Sequence, residues 1–456
     1  MTNRTSHLLR QLGIVSATAL VISNMVGTGI FTATGFLAGP LGSPALVISI
    51  WLVGAVCALA GAFCYSELGV NFPSSGGEYV YLTQAFGPTW GFMTGWVSFF
   101  AGFSAPIAAA ALACSDYMGY FFPALRQSNA RFVIGTGAWQ IQAGWATVFA
   151  CVLVVAFTVL NCLGIQRAAR IQNVLTAGKV LVILSFIAAG LFFGQGNWHH
   201  FAEPAVRTST TPMIAQYAIS LYFIYVSYSG WNAATYVAEE LKQPAKTLPA
   251  ALAWGTAAVA ALYVGLNIVF IYSTPLEATK GVVAIGSLAA SRLFGPGVAG
   301  VFSAAMALSL LATVNAIVTV GPRVYYAMAK NGAFFAAAGK VHPRWHTPVY
   351  ALVAQCVCTM LMTLTPFRDL LTYIGFTLNF FAVMSVASLF VFRRRPGWRR
   401  LKAVDIAWPA IPVFFILVGV WMTIFGITLE PRVSLAGILT IGTGAAVYHF
   451  RRRSGV

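Results

Sequence analysis

The chain has 456 residues, of which 59% are hydrophobic and only 8% are charged, and its mean hydropathy is +0.80. Soluble domains carry about 25% charged residues. This composition excludes an ordinary soluble protein, because too few polar side chains are present to cover a surface in water. It predicts an all-α polytopic membrane protein.

The sequence predicts about twelve membrane spans, since roughly 20 consecutive apolar residues cross a bilayer as a helix. We place them at residues 13–38, 42–66, 86–120, 143–163, 173–195, 212–238, 248–273, 297–326, 348–365, 368–392, 404–428 and 433–450. The first stretch is too long for the apolar region of a signal peptide and lacks a cleavage-site pattern, so no signal peptide is predicted.

The formal net charge of +17 would suit a nucleic-acid-binding protein, but the distribution of the charge argues against this class. Most lysines and arginines fall in loops on the side that also holds both termini. The positive-inside rule then predicts a multi-pass protein of the inner or plasma membrane with both termini in the cytoplasm. We interpret the clusters Arg393–Arg395 and Arg451–Arg453 as stop-transfer signals that bind anionic lipids, and predict no nucleic-acid partner.

The sequence offers no constellation that an enzyme or a metal site would need. All seven cysteines fall in apolar stretches without a partner at metal-site spacing, so we predict no disulfide, no metal and no cofactor. His342 and His346 are four residues apart, but Pro343 between them argues against a helical metal pair. We therefore predict that the protein is not an enzyme and has no catalytic residues.

The first predicted span carries a glycine-rich interruption at its centre, Val26-Gly27-Thr28-Gly29-Ile30-Phe31. Glycine costs about 1 kcal/mol relative to alanine inside a helix, so this pattern favours a break. Backbone freed from a helix at membrane depth is tolerated only where it is buried in protein or lines a cavity. Since N–H groups at a helix start attract anions, the motif indicates a substrate site. The alternative is a Gly-x-Gly contact for close helix packing.

A second interruption lies in the sixth predicted span, where Tyr225-Val226-Ser227-Tyr228-Ser229-Gly230-Trp231-Asn232 combines small and polar residues. The two interruptions are five spans apart, and this odd separation inverts the second half of the chain in the membrane. Paired interruptions in corresponding positions of two halves point to the binding site of a transporter.

Five motifs in chain order resemble the amino acid–polyamine–organocation (APC) superfamily, and most closely its L-type amino acid transporter branch. The glycine motif at Val26–Phe31 resembles the first-helix signature of the superfamily, and Ser229-Gly230-Trp231-Asn232 followed by Val237–Leu241 resembles the sixth helix of the branch. The other motifs are Pro73–Tyr81 before the third span, Gln172–Lys179 in the fifth, and Thr313–Ala316 with Arg323–Gly332 in the eighth. The resemblance runs from about residue 10 to 395.

The resemblance implies a LeuT-like fold, with an inverted five-plus-five repeat, two further helices, and breaks in helices 1 and 6. It divides the chain into a cytoplasmic N-terminus at 1–12, a first repeat at 13–195, a second repeat at 212–392, two added helices at 404–450, and a cytoplasmic tail at 451–456. The oligomeric state stays open.

The resemblance also implies a zwitterionic amino acid at the middle of the membrane. Its carboxylate would bind near Gly27, Thr28 and Gly29, next to Val26, and its ammonium would face Val226, Ser227 and Ser229. The alternative for Thr28 is a hydroxyl bonded back to its own helix. Asn232 would hydrogen-bond the unwound backbone or merely join helices.

The gate of the site is predicted from aromatic residues. Tyr228 and Trp231 are equally candidates for the lining of the cavity and for ordinary packing. Several relatives cap the substrate with a bulky aromatic at the position of Val226, where this chain has valine. Tyr225 is therefore a further candidate gate, and a larger substrate side chain is the alternative.

Lys179 is the basic residue that we place well inside a span. An intramembrane ionisable residue is a functional hypothesis by default, and the alternative is a lysine that snorkels from the edge of its span. By the resemblance, its ammonium would replace a sodium ion between helices 1 and 8. It would touch carbonyls of the first and hydroxyls of the eighth, such as Ser309 or Thr313. This would make transport sodium-independent, and Lys179 is also a candidate carrier of a coupling proton.

The acidic residues fall at predicted helix ends and in loops. We interpret Glu67, Glu78, Glu239 and Glu240 as parts of an inner gate or of loop salt bridges, and Asp116 as a solvated rim residue. No acidic residue is predicted at the middle of the membrane, which favours neutral over cationic substrates.

The sequence therefore predicts a transporter of neutral L-amino acids that works by alternating access, either as an exchanger (antiporter) or with proton-linked uptake. The predicted partners are the amino acid, membrane lipids and, for the second mode, protons. The rival prediction is a transport-inactive amino acid sensor or a subunit of a larger membrane complex.

Overall fold

The computed structural model describes residues 12–74, 76–135, 140–163, 165–330, 332, 334–345 and 347–453. Most of the predicted N-terminal segment 1–12, and residues 454–456 of the predicted tail, lie outside this range. The helices are α1 (Ile14–Met25), α2 (Thr28–Leu41), α3 (Pro44–Asn71), α4 (Glu78–Phe86), α5 (Pro88–Val97), α6 (Ala105–Met118), α7 (Trp145–Cys162), α8 (Ile165–Phe192), α9 (Met213–Tyr228), α10 (Pro244–Ser273), α11 (Ile285–Phe294), α12 (Pro296–Lys330), α13 (Val349–Met362), α14 (Phe367–Phe392), α15 (Lys402–Asp405), α16 (Ala410–Leu429) and α17 (Pro431–Arg453).

Irregular helical segments connect several of these elements. A π-helical segment, Ser98–Ser104, joins α5 to α6, and the 3₁₀ segment Ala233–Glu240 follows α9. Shorter 3₁₀ turns occupy Pro123–Leu125, Gln127–Asn129, Trp198–Phe201, Leu276–Thr279 and Ala336–Gly339. The described residues also form one antiparallel hairpin of β1 (Phe132–Ile134) and β2 (Ile141–Ala143), in which Val133 faces Gln142.

In the described part of the chain, eight helices are long and apolar enough to span a membrane, or nine if the bent pair α1–α2 counts as one span. The prediction of an all-α polytopic membrane protein is confirmed. The other three predicted spans coincide with α8, α13, and α9 together with its 3₁₀ continuation. In α8 the apolar stretch that counts toward a span is Ala177–Phe192, α13 is also shorter than a span, and α9 is interrupted after Tyr228. The number twelve therefore stays a prediction.

Small residues allow the central helices to pack closely. A Cβ at Gly54 of α3 would overlap the side chain of Ile224 of α9, and a Cβ at Gly375 of α14 would lie 2.9 Å from the Cβ of Tyr222. Between membrane helices, such small residues let the backbones approach and increase the dispersion contacts. This packing places α3, α10 and α14 against the first and sixth spans.

Contacts between helix ends define two faces of the molecule. On one face Leu12 pairs with Leu241, and Arg393 at the end of α14 pairs with Glu67 near the end of α3. We call this the basic face. α2 leads to the other face, which we call the opposite face. There the loop after α10 covers α2, and the Gly35 carbonyl accepts a hydrogen bond from Gly281 N at 2.8 Å.

Arg393 differs from its predicted role as a lipid anchor. It is 5% exposed and forms an ion pair with Glu67, which is fully buried, at 2.6 Å, and a second pair with Asp405 at 3.0 Å. Glu67 also accepts hydrogen bonds from Trp398 and Leu401. The ion pair joins α3 to the segment after α14, so the salt bridge predicted for Glu67 is present. Because the Arg393 guanidinium binds two carboxylates, it is not available to bind a lipid headgroup.

Three loops contain structure that the sequence did not predict. The loop after α3 contains α4, the loop after α6 contains the β1–β2 hairpin, and the loop after α10 contains α11. Asp116 is 9% exposed and accepts hydrogen bonds from the backbone and side chain of Gln127, so the interpretation as a solvated rim residue was wrong.

Candidate functional site

The first span is broken where the sequence predicted. Helix α1 ends at Met25, Val26 and Gly27 are extended, and α2 starts at Thr28 with its axis bent by 40°. The φ and ψ of Gly27 are −145° and −149°, and no side chain caps the start of α2. The first N–H groups of a helix have no partners within it, so the start of α2 is available for an anion.

The sixth span is broken as well. Helix α9 ends at Tyr228, Ser229 is extended, and Gly230 has a φ of +103° before the chain resumes as a 3₁₀ segment. A Cβ at Gly230 would strain this left-handed conformation and would lie 2.7 Å from the carbonyl carbon of Asn24. The second break thus lies directly against the end of α1.

Two further contacts hold the breaks together. A Cβ at Gly29 would overlap the Cα and side chain of Ser227, so α2 and α9 touch at this glycine. The hydroxyl of Tyr263 in α10 lies 2.6 Å from the Met25 carbonyl and 2.9 Å from the Ser227 carbonyl. Gly29 therefore serves close packing and Gly27 belongs to the break, while a substrate site at the motif stays a prediction.

A cavity of about 1350 Å³, counted with the solvent at its mouth, lies between the two breaks. Residues of both breaks line it, together with the π-helical segment, α12 and α14. Thr94 and Val97 of α5 and Val324 of α12 also line it. Toward the opposite face, α2 is covered by the loop after α10, and Tyr117 donates to the Phe31 carbonyl at 2.8 Å.

Lys179 lies beside the first break. It is 1% exposed, and its Nζ donates to the carbonyls of Ser23 at 2.5 Å and Val26 at 2.7 Å. These carbonyls belong to the end of α1, where backbone acceptors lack helical partners and the helix dipole is negative. The ammonium therefore fills a cation position at the end of a half-helix.

A family model described as amino acid permease matches residues 12–443 of the chain. The chain belongs to this family. The match covers nearly the whole sequence and confirms the resemblance that the motifs indicated, and with it the prediction of an amino acid transporter rather than an enzyme.

Similar curated proteins include transporters from animals and bacteria. The chain is 28% identical over 446 residues to the large neutral amino acids transporter small subunit 2 of Homo sapiens, covering 97% of this chain and 80% of that protein. It is 29% identical over 452 residues to the Asc-type amino acid transporter 1 of Mus musculus, covering 97% and 81%. It is also 29% identical over 453 residues to the serine/threonine exchanger SteT of Bacillus subtilis, covering 96% and 97%.

The cavity of the permease brings together most of the residues that the sequence singled out. Lining residues among them are Gly27, Thr28, Gly29, Tyr225, Val226, Ser229, Trp231, Asn232 and Thr313. Trp231 is 3% exposed and contacts Tyr65 edge to face, with ring centroids 4.6 Å apart. The Tyr225 hydroxyl donates to the Leu378 carbonyl at 3.3 Å.

Other predicted residues lie beside the cavity rather than on its wall. Val26 and Lys179 hold the end of α1, and the Ser227 hydroxyl donates to the Phe223 carbonyl of its own helix. Tyr228 is 2% exposed and donates to the Trp51 carbonyl at 3.1 Å, so packing explains its position.

The eighth-helix hydroxyls bond within α12. Ser309 donates to the Ala305 carbonyl at 2.9 Å, and Thr313 donates to the Ser309 carbonyl at 3.5 Å. Among the described hydrogen bonds, those of the Lys179 ammonium go to α1 carbonyls and none to these hydroxyls. The structure therefore shows the predicted contact of Lys179 with the first helix and, among the described residues, not the predicted contact with the eighth.

Sequence reasoning missed four features of the site. The sequence could have indicated the role of Gly230, because a glycine in a polar interruption of a helix is typical of a residue with positive φ. Tyr263 and the π-helical segment carry no signal in a single sequence. The contact of Glu78 with the cavity was missed too. The sequence predicted an inner gate or a loop salt bridge for it, and among the described residues it makes hydrogen bonds rather than an ion pair.

Proposed function

We propose that this permease carries neutral L-amino acids across the membrane by alternating access through the cavity between its two broken spans. The observation that supports this most strongly is the meeting of two helix ends of opposite polarity at one cavity. The start of α2 presents N–H groups near Thr28 and Gly29, and the end of α9 presents carbonyls near Val226. A zwitterion carries the two complementary charges.

The proposed pose places the substrate carboxylate against Gly27, Thr28 and Gly29. The ammonium faces the carbonyls of Val226 and Ser229. The Val226 carbonyl already accepts a hydrogen bond from Ser229 N at 3.1 Å. A carbonyl has two lone pairs, so it can accept from the ammonium as well. Ser227 packs on Gly29, and its carbonyl, which accepts from Tyr263, keeps a second lone pair for the ammonium as well.

The remaining predicted residues have roles around this pose. Tyr225 and Trp231 line the cavity and serve as the proposed gate, with Tyr228 behind them against Trp51. Asn232 holds the continuation of the sixth span, since its amide donates to Glu78 at 3.0 Å. Thr313 lies next to Gly27, where a Cβ would be 3.4 Å from its methyl group.

The proposed preference for neutral substrates agrees with the wall of the cavity at the two breaks. The lining residues of both breaks are uncharged, and Glu78 of α4 is the acidic residue among those that line the rest. Three neutral donors hold its oxygens toward Tyr65, Asn232 and Tyr236. The names of the relatives, which include large neutral amino acids, serine and threonine, agree with this class.

Transport is proposed to be sodium-independent. The Lys179 ammonium binds the Ser23 and Val26 carbonyls, which a bound sodium ion would otherwise need as ligands. A fixed ammonium supplies the same positive charge at the end of α1 without an ion from solution. Ser309 and Thr313 are the proposed partners of Lys179 on the eighth helix in another conformation of the cycle.

We also propose the inverted repeat of 13–195 and 212–392 with two added helices at 404–450, and an orientation in the inner or plasma membrane with the basic face toward the cytoplasm. The support is the symmetric position of the two breaks and the concentration of basic residues on one face.

Uptake of radiolabelled leucine, serine and threonine by proteoliposomes tests the function, with and without unlabelled amino acid inside. Uptake that requires internal amino acid indicates exchange, and uptake driven by an inward proton gradient alone indicates proton coupling. Substrate binding without uptake in either condition would favour the rival, a sensor or a subunit of a larger complex.

A further inference from the structure

Glu78 joins three elements at the end of the cavity nearest the basic face. Its Oε1 accepts hydrogen bonds from the Tyr65 hydroxyl at 2.8 Å and the Asn232 amide at 3.0 Å, and its Oε2 accepts from the Tyr236 hydroxyl at 2.9 Å. Tyr65 belongs to α3, and Asn232 and Tyr236 belong to the continuation of the sixth span. The carboxylate therefore bridges α4 to both of these elements.

The hydrogen-bond pattern matches an ionised carboxylate. All three partners have a hydrogen to donate, and an ionised carboxylate can accept all three at once. A protonated carboxyl would have to donate to one of the tyrosine hydroxyls instead. The ion pairs of the described residues do not include Glu78. The titratable groups that face it are Tyr65, Tyr81, Tyr225 and Tyr236, all of which are neutral near pH 7.

The position of Glu78 ties its hydrogen bonds to the conformation of the broken sixth span. Helix α4 packs on α5 and α14, while Asn232 lines the cavity one residue after Trp231. Any movement that widens the cavity toward the basic face must separate the continuation of the sixth span from α4. That separation breaks the hydrogen bonds to Asn232 and Tyr236.

We propose that the ionised Glu78 carboxylate is the latch that closes the substrate pathway on the basic face, and that its hydrogen bonds to Asn232 and Tyr236 break whenever an amino acid passes there. The inference rests on the proposed transport function and adds a gating residue to it. The latch holds the broken sixth span against α3 and α4 until substrate leaves or enters.

Protonation should release the latch. Helix α4 is not one of the helices that are long enough to span a membrane. Burial raises the pKa of the Glu78 carboxyl, and its three hydrogen bonds oppose this rise. A carboxyl with a raised pKa gains its proton at a higher pH than an exposed glutamate does. The ionised latch is then lost as the pH falls through this raised pKa.

The test measures exchange in proteoliposomes between about pH 7.5 and pH 5 for the wild type, Glu78→Gln and Glu277→Gln. Glu277 is an exposed carboxylate on the opposite face and serves as the control for charge removal. We expect the wild-type and Glu277→Gln exchange rates to change in parallel by at least about threefold over this range. Glu78→Gln should be flat and should bind substrate within about threefold of the wild type.

Tyr236→Phe provides a second variant that keeps the carboxylate. Losing one donor destabilises the ionised form, so the pH midpoint of exchange should move upward. A wild-type pH profile in both Glu78→Gln and Tyr236→Phe would overturn the latch and leave Glu78 a structural contact. A wild type that exchanges no amino acid at any pH would instead refute the proposed function itself.

Discussion

At the scale of single residues, the position of Lys179 shows how the protein stabilises a charge in an apolar environment. A lone ammonium inside a membrane costs several kcal/mol unless it has partners. Lys179 is 1% exposed, and two carbonyls at the end of α1 accept from it. Helix ends have surplus acceptors and a negative dipole, so the same contact satisfies both the lysine and the broken span.

Replacing Lys179 with alanine should lower the initial rate of amino acid uptake by at least about tenfold. A charge-assisted hydrogen bond contributes about 1.5–3 kcal/mol, and about 1.4 kcal/mol already shifts a conformational equilibrium tenfold. The measurement is uptake by purified, monodisperse variant in proteoliposomes.

Lys179→Arg should restore only part of this activity, because the planar guanidinium is larger than an ammonium. Lys402→Ala, at an exposed lysine on the basic face, is the matched control and should transport normally. A Lys179→Ala variant with the wild-type rate would show that the lysine has no part in the transport cycle.

The two glycines of the first break should respond differently to the same substitution. Gly29→Ala places a methyl group on the Cα of Ser227, and such overpacking costs about 1–3 kcal/mol. Gly27→Ala places its methyl 3.4 Å from the Thr313 methyl group, which is close but tolerable. We expect Gly29→Ala to weaken substrate binding by about tenfold and to lower the Tm, and Gly27→Ala to have smaller effects on both.

Equilibrium binding of labelled substrate and thermal unfolding in detergent measure these effects. Gly27→Leu is the stringent variant, because its side chain would fill the space proposed for the carboxylate. It should abolish binding while the protein still inserts and folds. Undiminished affinity in Gly27→Leu would exclude a substrate site at the first break.

At the scale of elements, the breaks in the first and sixth spans depend on each other. Gly230 lies against the end of α1, Gly29 lies against α9, and Tyr263 of α10 reaches carbonyls of both broken spans. A hydroxyl has one hydrogen, so Tyr263 donates to one of the two carbonyls at a time. This arrangement links the two half-helix ends through α10 and keeps both carbonyls partly available.

Tyr263→Phe should therefore weaken both the fold and the site. A buried acceptor left without its donor costs about 1–3 kcal/mol, so the Tm should fall by a few degrees and substrate affinity by at least about threefold. Tyr222→Phe is the matched control, because the Tyr222 hydroxyl is equally buried and donates at 2.7 Å to Met422, away from the breaks. An equal change of affinity in both variants would refute the link.

At the scale of the whole molecule, the cavity between the breaks is covered toward the opposite face. The cover consists of Tyr117 on the Phe31 carbonyl and of Gly281 on the Gly35 carbonyl. Alternating access requires one state in which this cover opens and another in which the contacts of Glu78 with Asn232 and Tyr236 open on the basic face. In the proposed cycle the positive charge at the end of α1 is supplied by the protein itself, at Lys179.

Transport should therefore proceed without sodium. Uptake measured in sodium chloride and in choline chloride of the same ionic strength should agree within about twofold, because an ammonium that is covalently part of the chain does not depend on the ion outside. A more than tenfold loss in choline would contradict the proposal.

The sequence alone determined the class of the protein, the positions of both breaks and the part of the cavity wall that the breaks form. These depend on local composition, since a glycine pair such as Gly27 and Gly29 in an apolar stretch interrupts a helix wherever it is placed. Lys179 was identifiable for the same reason, because a charge within an apolar run needs an explanation.

Only the tertiary structure decided which side chains meet across the cavity. Tyr263 and Glu78 contact the breaks from α10 and α4, far away in the chain, and nothing in their own neighbourhood distinguishes them from other tyrosines and glutamates. Arg393 looked like a lipid anchor until Glu67 was found beside it, 326 residues away in the sequence. Burial and partners come from packing between distant helices, and a single sequence does not encode those distances in any local pattern.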